Sequence, residues 1–162
     1  MDYCDDLLAT VTARRESLKG ISDDDAALKS SATAWSAKEI IGHLVDSASN
    51  NHQRFVRAQW MDDLVFPGYE QDGWVSAQRY QHADWYELID LWALYNRHLA
   101  RVMAAVPDDI RLRIHTKHNL FERAWTMVPA DTPTTLDYFM RDYVGHLHHH
   151  LRQLDALGLS TN

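Results

Sequence analysis

What this chain of 162 residues lacks narrows the kinds of protein it can be. Its single cysteine, Cys4, cannot form an internal disulfide, so a reducing cytoplasm is the expected compartment. Basic residues number 16 against 23 acidic ones, a net charge of −7 without any basic stripe, which argues against a nucleic-acid partner. No apolar run approaches the roughly eighteen residues that span a membrane. The acidic N-terminal stretch also lacks the layout of a secretion signal.

Neither an internal repeat, nor a low-complexity tract, nor a domain boundary interrupts the chain. Hydrophobic residues make up 46% and charged residues 24%, which is ordinary for a soluble globular protein. A chain of this length can bury a core without disulfides or structural metals. We therefore expect one domain over residues 1–162.

Apolar residues recur at helical spacing in four long segments, each with start and stop signals at its ends. Ser36 and Glu39 stand where the two halves of a capping box belong, and Asp84 and Glu87 open a later segment in a similar way. The four predicted helices run from Tyr3 to Leu18, from Ser36 to Gln59, from Asp84 up to Pro107, and from Thr134 or Thr135 to Leu157. This pattern predicts an all-α domain.

The connections between these helices are long. A short helix from Gln71 to Tyr80 is predicted within the link 61–82. Apolar residues alternate with polar ones from Ile110 to Ile114, which favours either a short hairpin or an extended crossing before the last helix. Four helices joined by such links predict a four-helix bundle with a non-trivial topology.

Four of the ten histidines lie in one stretch, DYVGHLHHHLRQL, within the last predicted helix. At about 100° per residue, His146 and His150 fall at the edge of the apolar face of that helix. His148 and His149 turn toward solvent in the same projection. Two histidines spaced four residues apart can direct their ring nitrogens toward one ion.

The second predicted helix carries a matching polar row beside its apolar face. His43, Ser47, Asn50 and Arg54 align within a narrow arc, whereas His52 points to the opposite side. Two such rows predict a cleft in which three neutral imidazoles, with positions open for water, form a catalytic-type divalent metal site. The spacing H-x-x-x-H is a weak signal by itself. On spacing alone, histidines that only form structural hydrogen bonds are at least as good an interpretation.

Two motifs resemble those of the DinB-like superfamily, and the resemblance covers essentially the whole chain. In this superfamily the second helix opens with W-[ST]-x-x-E-x-x-x-H-L, and the fourth carries H-x-x-x-H-x-x-Q. The corresponding residues here are Trp35, Ser36, Glu39, His43, Leu44, His146, His150 and Gln153.

The resemblance implies a four-helix bundle in which His43, His146 and His150 hold a divalent ion, zinc or nickel, with open positions for water or a thiolate. Members of the superfamily include metal-dependent thiol transferases and metal-dependent hydrolases. A low-molecular-weight thiol is therefore a candidate cofactor, and a small molecule is the expected substrate. The resemblance also implies a homodimer.

Further residues near the expected site are each open to two interpretations. Asp142 and Gln153 either stand behind the metal ligands and fix an imidazole tautomer, or are ordinary surface residues. Asn50 and Arg54 either bind an anionic substrate, with Arg54 as a bidentate fork for a carboxylate, or are a polar filler and a surface arginine. Trp74 either packs against its neighbours or roofs a pocket.

The leading hypothesis for function is a metal-dependent enzyme in which the ion produces a hydroxide or thiolate nucleophile. In a hydrolase, Asp142 or Glu39 is the candidate proton acceptor, whereas thiol transfer can proceed with the metal alone. No general base is marked as clearly as the glutamate of H-E-x-x-H, so the catalytic residues are left open. The alternatives are a metal-binding or small-molecule-binding protein without turnover, and a stress-related dimeric protein.

Overall fold

The structure, a computed structural model, describes residues 2–159. In chain order its helices are α1 Asp2–Lys19, α2 Asp23–Ala26, α3 Ala37–Ala58, α4 Gln71–Ala77, α5 Trp85–Ala104, α6 Asp108–Arg111, α7 Leu120–Arg123 and α8 Leu136–Asp155. A 3₁₀ turn, Tyr80–His82, lies between α4 and α5. The four long helices, α1, α3, α5 and α8, form the bundle, which confirms the predicted all-α fold. Over the described residues, no helix is long and apolar enough to cross a membrane.

The long helices begin at residues that the sequence marks as caps. The Ser36 hydroxyl accepts a hydrogen bond from the Glu39 backbone at 3.3 Å, and the Glu39 carboxylate accepts one from the Ser36 backbone at 2.9 Å. Asp84 caps α5. Of the two candidates before α8, it is Thr135 that accepts from the backbone of Tyr138. Each cap satisfies an amide at a helix start that would otherwise lack a partner.

Aromatic side chains at the centre of the bundle join α3 to α8. The ring of Phe55 on α3 lies edge-on to the rings of Phe139 and Tyr143 on α8, with centroids 5.6 and 6.0 Å apart. Such pairs contribute about 0.5–1.5 kcal/mol each beyond the area they bury. The α5 helix packs against both α1 and α3 with Trp85 and Trp92 fully buried. The contact between α3 and α8 sets the distance between the histidines that the two helices carry.

The segment before α8 forms no hairpin. Within residues 2–159 there is no strand, and this segment makes only isolated bridges, His118 with Leu64 and His115 with Thr134. Its first part folds into α6 instead, and Ile114 is exposed rather than paired with a second strand. Of the two predicted forms, the hairpin is therefore absent, and the chain takes the other, an extended crossing between α6 and α7.

Two buried histidines in this crossing form hydrogen bonds that stabilise the fold. The Nδ1–H of His115 donates to the carbonyl of Asp62 at 2.8 Å, and the Nε2–H of His118 donates to that of Thr132 at 3.0 Å. Because a carbonyl oxygen only accepts, each bond fixes the tautomer of its imidazole. Among the described residues, neither histidine joins a group of three possible metal ligands.

The other long link returns to α3 through Tyr80. Its short helix begins at the predicted residue but ends at Ala77, and the 3₁₀ turn follows Arg79, which has a positive φ of 55°. The Tyr80 ring lies directly on Gly42, where a Cβ atom would come within 2.2 Å of its Cγ and Cδ2. The missing side chain at position 42 thus lets the link close over α3 next to His43.

Replacing Gly42 by alanine should destabilise the fold. The added methyl group overlaps the Tyr80 ring at a steric cost of about 1–3 kcal/mol, which outweighs the gain of up to about 1 kcal/mol from alanine in a helix. Gly145→Ala on α8 is the matched control, because its methyl group would lie 3.1 Å from the exposed Trp125 ring, which can move aside. Urea denaturation should show a lower free energy of unfolding for G42A only. Equal stability of the two variants would contradict the close packing of Tyr80 on α3.

Candidate metal centre

Three histidines from two helices meet at one point in the bundle. The Nε2 atom of His146 lies 3.4 Å from Nε2 of His43 and 3.1 Å from Nε2 of His150. One ring nitrogen of each residue lies within 4.8 Å of the others. The packing of α3 against α8 thus brings together the three residues that the sequence analysis selected as ligands.

The spacing of these nitrogens fits a divalent ion. A tetrahedral zinc site with Zn–N bonds of about 2.0–2.1 Å holds its nitrogens roughly 3.3 Å apart. The observed Nε2–Nε2 separations of 3.1 and 3.4 Å are close to this value. Three histidines without a fourth protein ligand leave a coordination position for water or substrate, as in catalytic zinc sites. The cluster could therefore hold a divalent ion.

Polar and aromatic neighbours orient the rings. The Nδ1–H of His150 donates to the side-chain oxygen of Gln153 at 2.8 Å, which leaves the lone pair of His150 Nε2 available. The Nδ1 atom of His146 lies 3.4 Å from Ser47 Oγ. The Trp35 ring stacks over His150 with centroids 6.4 Å apart. These contacts hold the two imidazoles of α8 with Nε2 directed toward the shared point.

Burial keeps all three imidazoles neutral. It lowers the pKa of His43 from 6.5 to about 3, with a further contribution from the charge of His150. Burial, followed by the neighbouring histidines, lowers the pKa of His146 to about 2, and burial also lowers that of His150. The Nδ1 atom of His43 is buried without a hydrogen-bond partner among the described residues. Since neutral imidazole is the form that binds a metal, the cluster is ready to accept an ion at neutral pH.

A cavity of about 250 Å³ opens beside the cluster. His146 and His150 form part of its wall, whereas His43 lies behind them and is fully buried. The polar lining also includes Ser47, Asn51, Arg54, Tyr69 and Arg123. A molecule in the cavity is therefore adjacent to the imidazoles of α8.

Of the two polar residues on α3 predicted to bind substrate, Arg54 lines the cavity and Asn50 does not. The Asn50 amide donates to the backbone oxygen of Asp46 at 2.9 Å, and the next residue, Asn51, faces the cavity instead. The cavity lies on the side of α3 that carries Ser47, Asn51 and Arg54. The predicted polar row was therefore rotated slightly from the row that lines the cavity.

Trp74 stands one layer behind the cavity. Its ring is partly exposed and packs against the ring of Tyr69, with centroids 4.9 Å apart. Tyr69 itself lines the cavity, and Trp74 does not. Trp74 thus supports the wall and does not roof the pocket.

The two carboxylates considered as proton acceptors are committed to other bonds. Asp142 is buried in the cavity wall, where its two oxygens accept backbone N–H bonds from Trp125 and Thr126 at 2.8 and 2.7 Å. Burial raises the pKa of this carboxyl, and the two N–H bonds oppose the shift. Asp142 thus fixes the chain before α8; it is neither a surface residue nor bonded to an imidazole. Glu39 caps its own helix and pairs with Lys29 at 2.7 Å.

Some residues of the cavity escaped the sequence analysis. Tyr69 and Arg123 come from a link and from the end of a four-residue helix, where no helical period orients a side chain. Only the aromatic residue after proline and glycine in FPGYEQ hints at Tyr69, and nothing marks Arg123. His149, predicted to face solvent, is exposed but also stands at the cavity wall, with its ring 5.5 Å from that of Trp125.

Comparison with known proteins identifies the family and the fold. A family model described as the DinB superfamily matches residues 7–154. The chain belongs to the DinB superfamily. Among solved structures, this DinB-superfamily chain is similar to YfiT from Bacillus subtilis, described as a probable metal-dependent hydrolase with an unusual four-helix bundle topology. The two share 17% sequence identity and a TM-score of 0.78, over 98% of this chain and 87% of that one, which shows a common fold. A comparison with curated proteins finds no match.

The buried imidazoles should make the metal-free protein sensitive to acid. In the unfolded chain His43 titrates near 6.5, whereas in the folded chain its pKa is about 3. Between these values the unfolded state binds more protons, so the free energy of unfolding falls as the pH drops below 6.5. From about pH 7.5 to about pH 5.5, the His43 imidazole should cost about 1.4 kcal/mol of stability.

The measurement is urea denaturation of chelator-treated protein at the two pH values. His43→Phe is the control, because its ring has a similar shape and cannot be protonated. The variant should lose less stability on acidification than the native chain, whatever its stability at neutral pH. An identical pH dependence for both proteins would show that His43 is not held neutral by burial.

Proposed function

We propose that this chain is a divalent-metal-dependent enzyme acting on a small molecule, with His43, His146 and His150 as the metal ligands. The convergence of three neutral imidazoles beside a cavity is the observation that carries this proposal. A divalent ion bound there, zinc or nickel, lowers the pKa of a coordinated water or thiol, so that a nucleophile forms near neutral pH. The description of YfiT as a probable metal-dependent hydrolase is consistent with this class of function.

Between hydrolysis and thiol transfer, the readier ionisation of a thiol favours thiol transfer. Hydrolysis usually employs a group that takes a proton from water and one that protonates the leaving group. Of the two carboxylates in the described lining, Asp142 is held by two backbone amides, and Glu122 is 54% exposed to solvent, where it pairs with Arg123 at 2.7 Å. A thiol has a pKa of about 8.5 and loses its proton far more readily than water does. A low-molecular-weight thiol is therefore the proposed co-substrate.

The remaining residues of the site orient the three histidines or cover them. Gln153 holds His150, and Ser47 lies beside His146, so neither ring is free to turn away from the cluster. Trp35 lies outside the cavity wall and covers His43, with ring centroids 5.1 Å apart. In this arrangement the cavity gives access to the imidazoles of α8, and Trp35 covers the fully buried His43.

The native protein should contain about one divalent ion per chain, because three histidines form one site. Protein purified without a histidine tag is analysed for zinc and nickel by mass spectrometry. His43→Ala and His150→Ala should lose the ion, since each removes one of three ligands. His148→Ala is the matched control on the same helix, because His148 pairs with Asp6 at 2.8 Å, away from the cluster. His149→Ala should likewise keep the ion. Equal metal content in all four variants would refute the three-histidine site.

Turnover distinguishes the two reaction types. Metal-loaded protein is assayed for transfer of a small thiol to an electrophilic aryl chloride, in which a C–S bond forms and chloride leaves. The same preparation is assayed for ester hydrolysis without a thiol. Thiol transfer should exceed the uncatalysed rate and fall to it in H150A, with H148A unaffected. Ester hydrolysis that needs no thiol would establish a hydrolase instead, and bound metal without turnover in either assay would leave a binding protein.

A further inference from the structure

Two arginine side chains meet in the cavity that borders the histidine cluster. Arg54 comes from α3 and Arg123 from the end of α7, and both line the cavity together with His146 and His150. Arg54 is only 7% exposed. An arginine buried to this degree is normally paired with a carboxylate, because a buried charge is costly unless it is compensated.

No carboxylate of the described chain pairs with Arg54. Its guanidinium donates to two neutral oxygens, Asn51 Oδ1 at 3.3 Å and the backbone oxygen of Pro67 at 3.0 Å. Burial lowers the pKa of Arg54, and the positive charge of Arg123 lowers it further while Tyr69 opposes the shift. Even so, arginine does not lose its proton in proteins, so a positive charge stays in the cavity wall.

Arg123 adds a second charge whose own counter-ion is weakly held. Its Nη2 pairs with Glu122 at 2.7 Å, but the Glu122 side chain is 54% exposed to solvent, where an ion pair contributes little. The Nε of Arg123 is buried without a partner in the described part of the chain. Its guanidinium lies against Gly68, where a Cβ atom would come within 2.1 Å of Nη1. The absence of a side chain at position 68 therefore makes room for this arginine beside the cavity.

A neutral donor stands beside the arginines. Tyr69 lines the same cavity, and burial raises its pKa to about 12, with Asp46 adding to the shift and both Arg54 and a hydrogen bond with the Ser47 side chain opposing it. Tyr69 thus keeps its hydroxyl proton at neutral pH and can donate it to an anion. Besides Glu122, the described lining contains the carboxylate of Asp142, and each of its oxygens accepts a hydrogen bond from a backbone amide.

We propose that this end of the cavity is an oxyanion subsite, in which Arg54 and Arg123 bind a carboxylate or phosphate group of the substrate with Tyr69 as an additional donor. The subsite adds a substrate class to the proposed function, and its role in catalysis depends on that function. It assigns the substrate to small anionic molecules whose reacting atom lies a few bonds from the charged group. Ser47, which lies beside His146, and Arg54 are seven residues apart on α3, about 10 Å along the helix axis. The cavity of about 250 Å³ limits such a substrate to a modest size.

The test is a titration of the full-length, isotope-labelled protein followed by nuclear magnetic resonance. The probes are propionate, inorganic phosphate and the neutral isostere propionamide. Both anions, or one of them, should shift the signals of the cavity residues, and propionamide should not. The anion that binds with the lower dissociation constant shows whether the subsite is one for carboxylate or for phosphate.

Substitution of either arginine should weaken anion binding. Since a hydrogen bond to a charged group is worth a factor of about ten or more, Arg54→Gln and Arg123→Gln should raise the dissociation constant at least about tenfold. Arg57→Gln is the matched control, because Arg57 lies three residues further along α3, is exposed and contacts Gln53 at 3.2 Å. It should bind the anions as the native chain does. If circular dichroism shows that R54Q does not fold, the less buried Arg123 decides the outcome.

The titration is repeated after chelation, so that the subsite and the metal centre are tested separately. Arginine-dependent binding that persists without metal supports the subsite, even if the protein proves to bind no metal or to lack activity. Binding that disappears on chelation and is unchanged in R54Q and R123Q would mean that the anion coordinates the ion, and would overturn the subsite. Failure of the native chain to bind either anion would overturn it as well, while the metal proposal would stand.

Discussion

The packing of α3 against α8 is the contact on which the site depends. Phe55 on one helix and Phe139 and Tyr143 on the other fix the separation of the two backbones. One to three turns away on the same helices, the Nε2 atom of His43 lies 3.4 Å from that of His146, which in turn lies 3.1 Å from that of His150. A shift of one helix against the other would move His43 away from the two histidines of α8. The apolar core and the histidine cluster are therefore products of the same contact.

The second constraint comes from the links, which supply the far wall of the cavity. The Asn119 side chain bonds both the N–H and the C=O of Phe66, at 3.0 and 2.8 Å, and so joins the first link to the crossing before α8. Asp142 then ties that crossing to α8 through two backbone amides. Arg54 reaches from α3 to the backbone of Pro67. Buried polar side chains thus hold the links in place, as capping residues and apolar packing do for the helices.

Sequence reasoning succeeded where the chain is periodic and was incomplete where it is not. The caps Ser36 and Asp84 could be assigned from the start signals of their helices. The helical projection placed the three histidines at the edges of the apolar faces, and the DinB-like motifs singled them out as candidate metal ligands. The same projection placed Asn50 in the polar row, although it is Asn51 that lines the cavity. A projection of one helix cannot show which side of that row the cavity borders. Asp142 was open to two interpretations because its true partners, backbone amides 17 and 16 residues earlier in the chain, come close to it only in the folded state. For the same reason, the assignment of Arg123 required the structure.

The measurement that tests the central claim most directly is anomalous diffraction from crystals of metal-loaded protein, recorded at the absorption edge of the bound ion. The account predicts one strong peak per chain at about 2.0–2.2 Å from the Nε2 atoms of His43, His146 and His150. The cavity side of that peak should be open to solvent or to a small ligand. A peak on His148 or His149, or one beside the buried His115 and His118, would contradict the account, as would loaded protein with no ion among the three Nε2 atoms.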